Sequence, residues 1–188
     1  MKDECFIRDK VPMTKEAIRA ISIDKLQIEK AQRFLDIGAG TGSISLQVAK
    51  LYPQVEVLAI ESKELAVELI QKNRVHFEVN NLNIIQDKAP IKDNIGKFES
   101  IFVGGTGGNT EQIIDWAYDL LTNDGNLVMN FILLENAFEA LQLLEERDWK
   151  DIDMINVNVS ELTKLGKGHY FKPQNPTIIL SAKKENKA

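Results

Sequence analysis

A glycine loop between a buried strand and a helix constrains this chain more than any other feature of its sequence. The apolar run Arg33–Ile37 leads into Gly38-Ala39-Gly40-Thr41-Gly42, and an amphipathic stretch follows from Ile44. A strand, a glycine turn and a helix in this order place a ligand at the carboxyl edge of a parallel sheet, next to the positive end of the helix. The sequence therefore predicts an α/β fold with a ligand site at this loop.

The spacing of the glycines separates the possible ligands. A dinucleotide fingerprint reads G-x-G-x-x-G, whereas the third glycine here comes one position early, at Gly42. A Walker-type phosphate loop needs a lysine after its last glycine, and Ser43 stands there instead. Asp36 would repel a pyrophosphate but can hold a water or an ammonium group. The loop therefore favours S-adenosylmethionine, which ends in an amino acid rather than in phosphates.

Two later strand ends carry acidic residues in the order that this cofactor needs. Glu61 ends the apolar run that starts at Val55, where a carboxylate can accept both hydrogens of a ribose diol. Asp87, followed by Ala89, ends the next strand, where a side chain and a backbone amide can read the edge of adenine. The predicted cofactor residues are Thr14, Asp36, Gly38, Ala39, Gly40, Thr41, Gly42, Glu61, Asp87 and Ala89.

Short β-branched runs alternate with amphipathic stretches along the middle of the chain, which is typical of a largely parallel sheet. The predicted strands are Arg33–Ile37, Val55–Ile60, Leu82–Gln86, Glu99–Val103 and Gly125–Phe131, and the predicted helices are Ile44–Leu51, Lys63–Phe77, Thr110–Leu121 and Glu135–Arg147. Two more strands, Ile152–Val159 and Pro176–Ala182, follow each other without a helix and predict a terminal antiparallel hairpin, with Gly166-Lys167-Gly168 in a long loop between them. A seven-stranded sheet of this kind resembles the class I methyltransferase fold.

The predicted domain organisation is a single domain over residues 1–188, with a cap segment at 1–30, a Rossmann-like core at 31–183 and a frayed tail at 184–188. Within the cap segment, Thr14 is predicted to cap a helix that covers the ligand cleft. The start of the chain lacks a signal-like apolar stretch, no run approaches the roughly 20 apolar residues of a membrane span, and the single cysteine, Cys5, excludes an internal disulfide. A cytoplasmic protein without a metal site is expected.

The acceptor side of the predicted site lacks the Asn/Asp-Pro-Pro-aromatic motif of methyltransferases that act on adenine or glutamine nitrogen. Val103 is followed by Gly104-Gly105-Thr106-Gly107-Gly108, which opens space for a large, flat or anionic acceptor. Gly104, Gly105 and His169 are candidates for the catalytic step, although positioning can supply much of the catalysis of methyl transfer. The candidates for substrate binding are Arg8, Lys10, Lys15, Arg19, Gly107 and Gly108, with Lys164, Lys167 and Lys172 as further cations.

Five segments together resemble the decarboxylating precorrin methyltransferases of cobalamin biosynthesis, the T component of precorrin-6Y methylase. They are Met13-Thr14-Lys15 with Arg19, Asp36–Gly42, Asp87–Pro90, Val103–Gly108 and Asn175-Pro176. The resemblance implies methylation of carbon 15 of a cobalt-precorrin with S-adenosylmethionine and decarboxylation of the ring C acetate. It also implies a tetrapyrrole substrate, a homotetramer and cooperation with a separate precorrin carbon 5 methyltransferase.

Other functions fit the same fold. A tRNA or protein methyltransferase would share the sheet and a similar loop, but the net charge of −5 and the lack of an added RNA-binding domain disfavour nucleic acid as a partner. A scaffold protein that binds the cofactor without turnover is a second alternative. A dinucleotide-dependent oxidoreductase is disfavoured by the glycine spacing.

Overall fold

The computed structural model describes residues 1–185 and consists of a mixed sheet with helices on both faces. In chain order the elements are α1 (Glu16–Leu26), β1 (Arg33–Ile37), α2 (Ser43–Leu51), β2 (Glu56–Glu61), α3 (Glu64–His76), β3 (Leu82–Gln86), β4 (Phe98–Val103), α4 (Thr110–Leu120), β5 (Leu121–Phe131), α5 (Leu134–Glu145), β6 (Trp149–Val157), β7 (Ser160–Leu165), β8 (Gly168–Pro173) and β9 (Thr177–Lys184). Every predicted strand and helix is present, and the ends of all except β1 and β3 are shifted by a few residues.

The strand order explains where a ligand can bind. The seven-stranded sheet has the order β3-β2-β1-β4-β5-β9-β6, in which β1 pairs in parallel with both β2 and β4, while β9 runs antiparallel to β5 and β6. The connections after β1 and after β4 leave in opposite directions, so a crevice opens at the carboxyl ends of these two strands. The prediction of a seven-stranded, mostly parallel sheet with a terminal antiparallel pair is confirmed.

Two apolar layers hold the sheet between the helices. Residues of α4 and α5 pack on one face, and residues of α1, α2 and α3 pack on the other. Because side chains alternate along a strand, Leu35 and Ile37 of β1 lie in the first layer and Phe34 lies in the second. Asp36 therefore points toward α2, which carries Ser45, and this decides its hydrogen bonds.

The loop predicted between β6 and β9 forms a β-hairpin of its own. Strands β7 and β8 pair from Ser160 opposite Pro173 to Leu165 opposite Gly168, separate from the main sheet. Neither strand has a buried residue. A strand with one buried face shows alternating apolar and polar residues, and these two strands lack that pattern, so the sequence did not predict them. Leu162 and Phe171 are 64% and 69% exposed.

Two predictions about the ends of elements are wrong. Thr14 does not cap α1, since the N-cap residue is Lys15 and no side chain makes a cap hydrogen bond. The tail does not begin at residue 184, because Lys184 ends β9 and its ammonium donates to the carbonyls of Tyr118 and Leu121. Residues 186–188 of the predicted tail lie outside the described part of the chain.

Candidate active site

The crevice at the carboxyl ends of β1, β2 and β4 opens into a cavity of about 760 Å³. Four parts of the chain line it: the segment Lys10–Lys15 with Ile18; the loop residues Gly38–Gly40 with Ile44; the end of β2 and start of α3 with Glu61, Ser62, Lys63, Leu65 and Ala66; and the ends of the acceptor-side strands with Phe102, Gly104, Gly105, Gly107, Asn130, Phe131, Ile132, Pro173, Gln174, Asn175 and Thr177. The cavity therefore joins the predicted cofactor loop to the predicted acceptor side.

Gly38 lies so close to the segment after β4 that a side chain would not fit there. Gly38 has a φ of +69°, and a Cβ on it would lie 2.8 Å from the carbonyl oxygen of Gly105. The contact is mutual, since a Cβ on Gly104 would lie 2.8 Å from the carbonyl oxygen of Gly38. Gly104, predicted as a catalytic candidate, thus allows two backbones to approach each other, whereas Gly105 has open space at its Cβ position.

Gly40 and Gly42 lie close to other parts of the chain than Gly38 does. A Cβ on Gly40 would lie 3.1 Å from the carbonyl oxygen of Pro12, and a Cβ on Gly42 would lie 2.8 Å from Cγ1 of Ile70 on α3. Gly42 and the buried Thr41 do not line the cavity, although both were predicted to contact the cofactor. Their role is to let the loop turn into α2 against the core.

The backbone amides of the loop are largely used within the protein. The Gly38 and Ala39 amides both donate to the carbonyl oxygen of Ile60, and the Gly40 amide donates to Oε2 of Glu61 over 2.8 Å. An anionic group of a ligand therefore has few loop amides to bind, in contrast to the sequence-based expectation for a strand–turn–helix unit. Donors for such a group must come from another lining segment.

Glu61 is held where the ribose of a nucleoside ligand is expected. It is 7% exposed and lines the cavity, while its Oε1 accepts the Lys63 amide over 2.9 Å and its Oε2 accepts the Gly40 amide. Two backbone donors on one carboxylate fix both its position and its plane. Lone pairs on the two oxygens remain for a diol, because a carboxylate has about four acceptor sites.

Asp36 lies behind the loop rather than in the cavity. It is 1% exposed, its Oδ2 accepts the amide and the hydroxyl of Ser45, and its Oδ1 has no hydrogen-bond partner within residues 1–185. Burial raises the pKa of Asp36 to about 7, Ser45 opposes this rise, and the charge of Glu61 adds to it. Asp36 was predicted to hold a water or an ammonium group of the ligand, but it does not line the cavity.

A smaller pocket of about 90 Å³ adjoins the cavity and shares Gly38, Ser62, Gly105 and Gly107 with it. Its other lining residues are Ile37, Ile60, Asp87, Lys88, Ala89, Thr106 and Ile113. Apolar side chains and a strand-end carboxylate line it together, a combination that suits an aromatic base with polar edges. The structure thus brings Asp87 and Ala89 next to Glu61, as the sequence predicted.

Arg19 is the clearest error among the predicted substrate-binding residues. It is 0% exposed, and its guanidinium donates to Oε1 of Gln47, Oδ1 of Asp3 and the carbonyl oxygens of Thr14 and Met1. These bonds tie the first residues and the end of the cavity-lining segment to α2. Arg19 is a structural clamp, and a substrate carboxylate cannot reach it.

The remaining predicted cations and glycines divide into two groups. Lys10, Lys15 and Gly107 line the cavity, whereas Arg8 and Gly108 do not. His169, Lys164, Lys167 and Lys172 are exposed on the β7–β8 hairpin and do not line it either. Within this one chain, the hairpin therefore contributes to the cavity through its exit, Pro173–Asn175, rather than through its charged side chains.

The far wall of the cavity was not predicted from the sequence. We call Asn130, Phe131, Ile132, Pro173, Gln174, Asn175 and Thr177 the acceptor wall. Glu61 was predicted because it is a polar residue at the carboxyl end of a strand. Asn130 has the same position in β5, so the sequence could have predicted it as well. Gln174 and Thr177 carry no comparable signal, because the hairpin brings them to the site.

Residues 1–185 contain neither a membrane-spanning helix nor a cluster of metal ligands. None of the helices there is long and apolar enough to cross a membrane. No cluster of three or more His, Cys, Asp or Glu side chains in that range could hold a metal ion. The predicted cytoplasmic location stays a prediction.

Comparison with known proteins identifies the family. Residues 4–184 match the model of the precorrin methyltransferase domain. The chain is 44% identical over 186 residues to a cobalt-precorrin-6B C(15)-methyltransferase (decarboxylating) of Salmonella typhimurium, covering 98% of this chain and 96% of the relative.

Two solved structures agree with this. A precorrin-6y C5,15-methyltransferase of Geobacter metallireducens superposes with a TM-score of 0.91 at 30% identity and covers 98% of this chain and 96% of its own. A precorrin 8W decarboxylase of Methanobacterium thermoautotrophicum superposes with a TM-score of 0.89 at 26% identity, covering 96% and 98%. The resemblance noted in the sequence is confirmed, and the chain belongs to the precorrin methyltransferase family.

Proposed function

We propose that this protein methylates carbon 15 of a cobalt-precorrin with S-adenosylmethionine and removes the carboxyl group of the ring C acetate. The observation that carries the proposal is the single cavity in which the cofactor residues around Glu61 and a separate acceptor wall meet. A methyl donor and an acceptor can meet there. The family assignment favours a corrin precursor over the tRNA or protein substrates of other class I methyltransferases.

The residues present fit the cofactor. Glu61 would hold the ribose, the slot beside Asp87 and Ala89 would hold the adenine, and the loop Gly38–Gly40 would pass beneath the methionine end. Since the loop amides are occupied internally, Thr14 on the facing segment would receive the cofactor carboxylate. When bound, the cofactor supplies a methyl group on a positively charged sulfur, which leaves as a neutral thioether.

The charges of the cavity suit a substrate with several carboxylates. Lys10 and Lys15 come from the segment that covers the site, and they can bind carboxylates at the rim without blocking the flat space beside Gly105 and Gly107. The lining residues within 1–185 include no histidine. An enamine-like carbon of a reduced tetrapyrrole needs no strong base to attack a sulfonium, so positioning can carry the reaction.

The exposed hairpin supports self-association of the chain, and the family resemblance implies that the assembly is a homotetramer. Leu162, Leu165 and Phe171 are each more than 60% exposed, and Ile132 of the acceptor wall and Phe138 of α5 are exposed as well. Apolar patches of this kind mark association sites. The hairpin has no buried residue in its own chain, so contact with another subunit would bury the largest share of its apolar side chains. Cooperation with a separate carbon 5 methyltransferase stays a prediction.

The test is an anaerobic incubation of the protein with S-adenosylmethionine and a cobalt-precorrin mixture, followed by mass analysis of the tetrapyrrole. We expect the gain of a methyl group and the loss of carbon dioxide. A Glu61→Gln variant should bind the cofactor on the order of 10-fold to 100-fold more weakly, because a charged acceptor for two hydroxyls is lost.

The matched control is Glu64→Gln, since Glu64 is exposed at the start of α3 and does not line the cavity. It should bind the cofactor like the wild type. Cofactor binding without any change in tetrapyrrole mass would reject the proposed activity and favour the scaffold alternative.

A further inference from the structure

The acceptor wall carries no formal charge. Among the residues that line the cavity in the described chain, the charged ones are Lys10, Lys15, Glu61 and Lys63, and all of them lie on the N-terminal segment or at the end of β2. The wall instead presents three carboxamides, from Asn130, Gln174 and Asn175, beside apolar side chains. A substrate with many carboxylates therefore meets a cationic rim and a neutral wall.

Asn130 is held in one orientation by a buried serine. Ser22 on α1 is 0% exposed, and its hydroxyl donates to the carbonyl oxygen of Ile18 over 2.8 Å. A hydroxyl has one hydrogen, so Ser22 accepts from Nδ2 of Asn130 over 3.0 Å. The second amide hydrogen of Asn130 has no partner within residues 1–185, and the side chain lines the cavity. It can donate one neutral hydrogen bond to a bound group.

A neutral wall is the environment that favours loss of carbon dioxide from a carboxylate. The charge of the carboxylate spreads into a larger system in the transition state, so an ion pair would stabilise the ground state more and slow the reaction. By the same reasoning, carboxylates that the enzyme retains belong at Lys10 and Lys15.

We propose that the acceptor wall receives the carboxylate that is lost, and that Asn130 orients it through a neutral hydrogen bond. The proposal rests on the proposed function. The bond between the methylene carbon and the carboxylate carbon breaks, its electron pair enters the conjugated macrocycle, and carbon dioxide leaves. The methylene carbon then takes a proton from solvent water and becomes a methyl group.

Two substitutions at Asn130 separate this role from general damage. Asn130→Lys places a cation at the wall, so the ratio of carbon dioxide released to methyl groups transferred should fall about tenfold while methylation continues. Asn130→Asp keeps the size but repels the carboxylate, so the KM for the tetrapyrrole should rise about tenfold with unchanged cofactor affinity. Radiolabelled cofactor and trapped carbon dioxide measure both reactions in one incubation.

The control is Asn126→Lys, which makes the same change on the same strand but outside the cavity, and it should keep the wild-type ratio. An unchanged ratio in Asn130→Lys, or an unchanged KM in Asn130→Asp, overturns the inference even if the wild type is active. If Asn130→Lys does not fold, the KM of Asn130→Asp decides. A wild type that neither methylates nor decarboxylates the tetrapyrrole rejects the proposed function and this inference with it.

Discussion

The cofactor end of the cavity and the acceptor wall are built in different ways. The cofactor end comes from three strand ends and the turns that follow them, so the strand before each residue brings it to the same edge of the sheet. The acceptor wall joins the end of β5 to the exit of the β7–β8 hairpin, which is more than 40 residues away in the chain. A site on strand ends can be recognised from sequence, whereas a wall made by a long-range approach cannot.

The largest effect is expected at the contact between the two glycine segments. Gly38→Ala would place a Cβ 2.8 Å from the backbone of Gly105 at a φ of +69°. We expect a loss of about 4 kcal/mol in the free energy of unfolding and a cofactor dissociation constant raised on the order of 100-fold. Thermal unfolding and calorimetric titration with the cofactor measure the two effects.

Gly166→Ala is the matched control, because Gly166 has a φ of +58° but open space at its Cβ position in the hairpin turn. It should cost about 1 kcal/mol or less and leave cofactor affinity unchanged. Equal losses in the two variants would show that backbone strain, rather than the approach of the two loops, makes Gly38 necessary.

A smaller effect is expected from Arg19→Met, which tests whether the covering segment depends on a buried clamp. We expect a loss of about 3 kcal/mol in stability, since the acceptors of a fully buried guanidinium are left without partners. Cofactor affinity should fall as well, because the segment from Lys10 to Lys15 loses its anchor at Thr14.

Arg147→Met provides the comparison, since Arg147 forms its ion pairs with Glu111 and Asp115 at the surface. It should cost about 1 kcal/mol or less and leave cofactor affinity intact. If the two variants lose equal unfolding free energy, the buried Arg19 contributes no more to stability than a surface ion pair does.

The buried carboxyl group of Asp36, behind the loop, should make the stability of the protein depend on pH. Because the pKa of Asp36 rises from 3.8 to about 7 on folding, the folded state keeps a proton that the unfolded chain has lost. Stability should therefore decline as the pH rises from 3.8 to about 7, and level off above that.

Asp36→Asn should remove this decline and be more stable than the wild type by about 2 kcal/mol at pH 8. Chemical denaturation across the pH range measures this. The same change at exposed Asp93 should keep the wild-type profile. A wild-type stability that rises over this range would contradict the assignment.

The smallest effect on the cofactor end is expected from the hairpin. Phe171→Ser should dissociate the proposed tetramer while cofactor affinity stays within about twofold, since the hairpin reaches the cavity at the acceptor wall. Lys167→Ser, in the hairpin turn, should leave assembly unchanged. Light scattering distinguishes the two, and a monomeric wild type would reject the hairpin as the interface.

The fold was predictable because its elements depend on local pattern. The strands β1 and β3 have the predicted ends, since apolar runs bounded by glycine or acidic residues mark them. The hairpin was missed because neither of its strands buries a residue in this chain, so no periodicity marks it. Glu61, Asp87, Gly38 and Gly40 line the cavity or the adjoining pocket, whereas Thr41 and Gly42 lie behind the loop.

The sequence by itself determined the sheet, the crevice and the cofactor end, because these follow from the order of strands and the residues at their ends. Only the tertiary structure decided which charges face the cavity. Arg19 and Lys15 are four residues apart, yet one is fully buried under the N-terminal segment and the other lines the cavity. The burial of a charged side chain depends on which distant segments cover it, and neither its type nor its position in the chain contains that information.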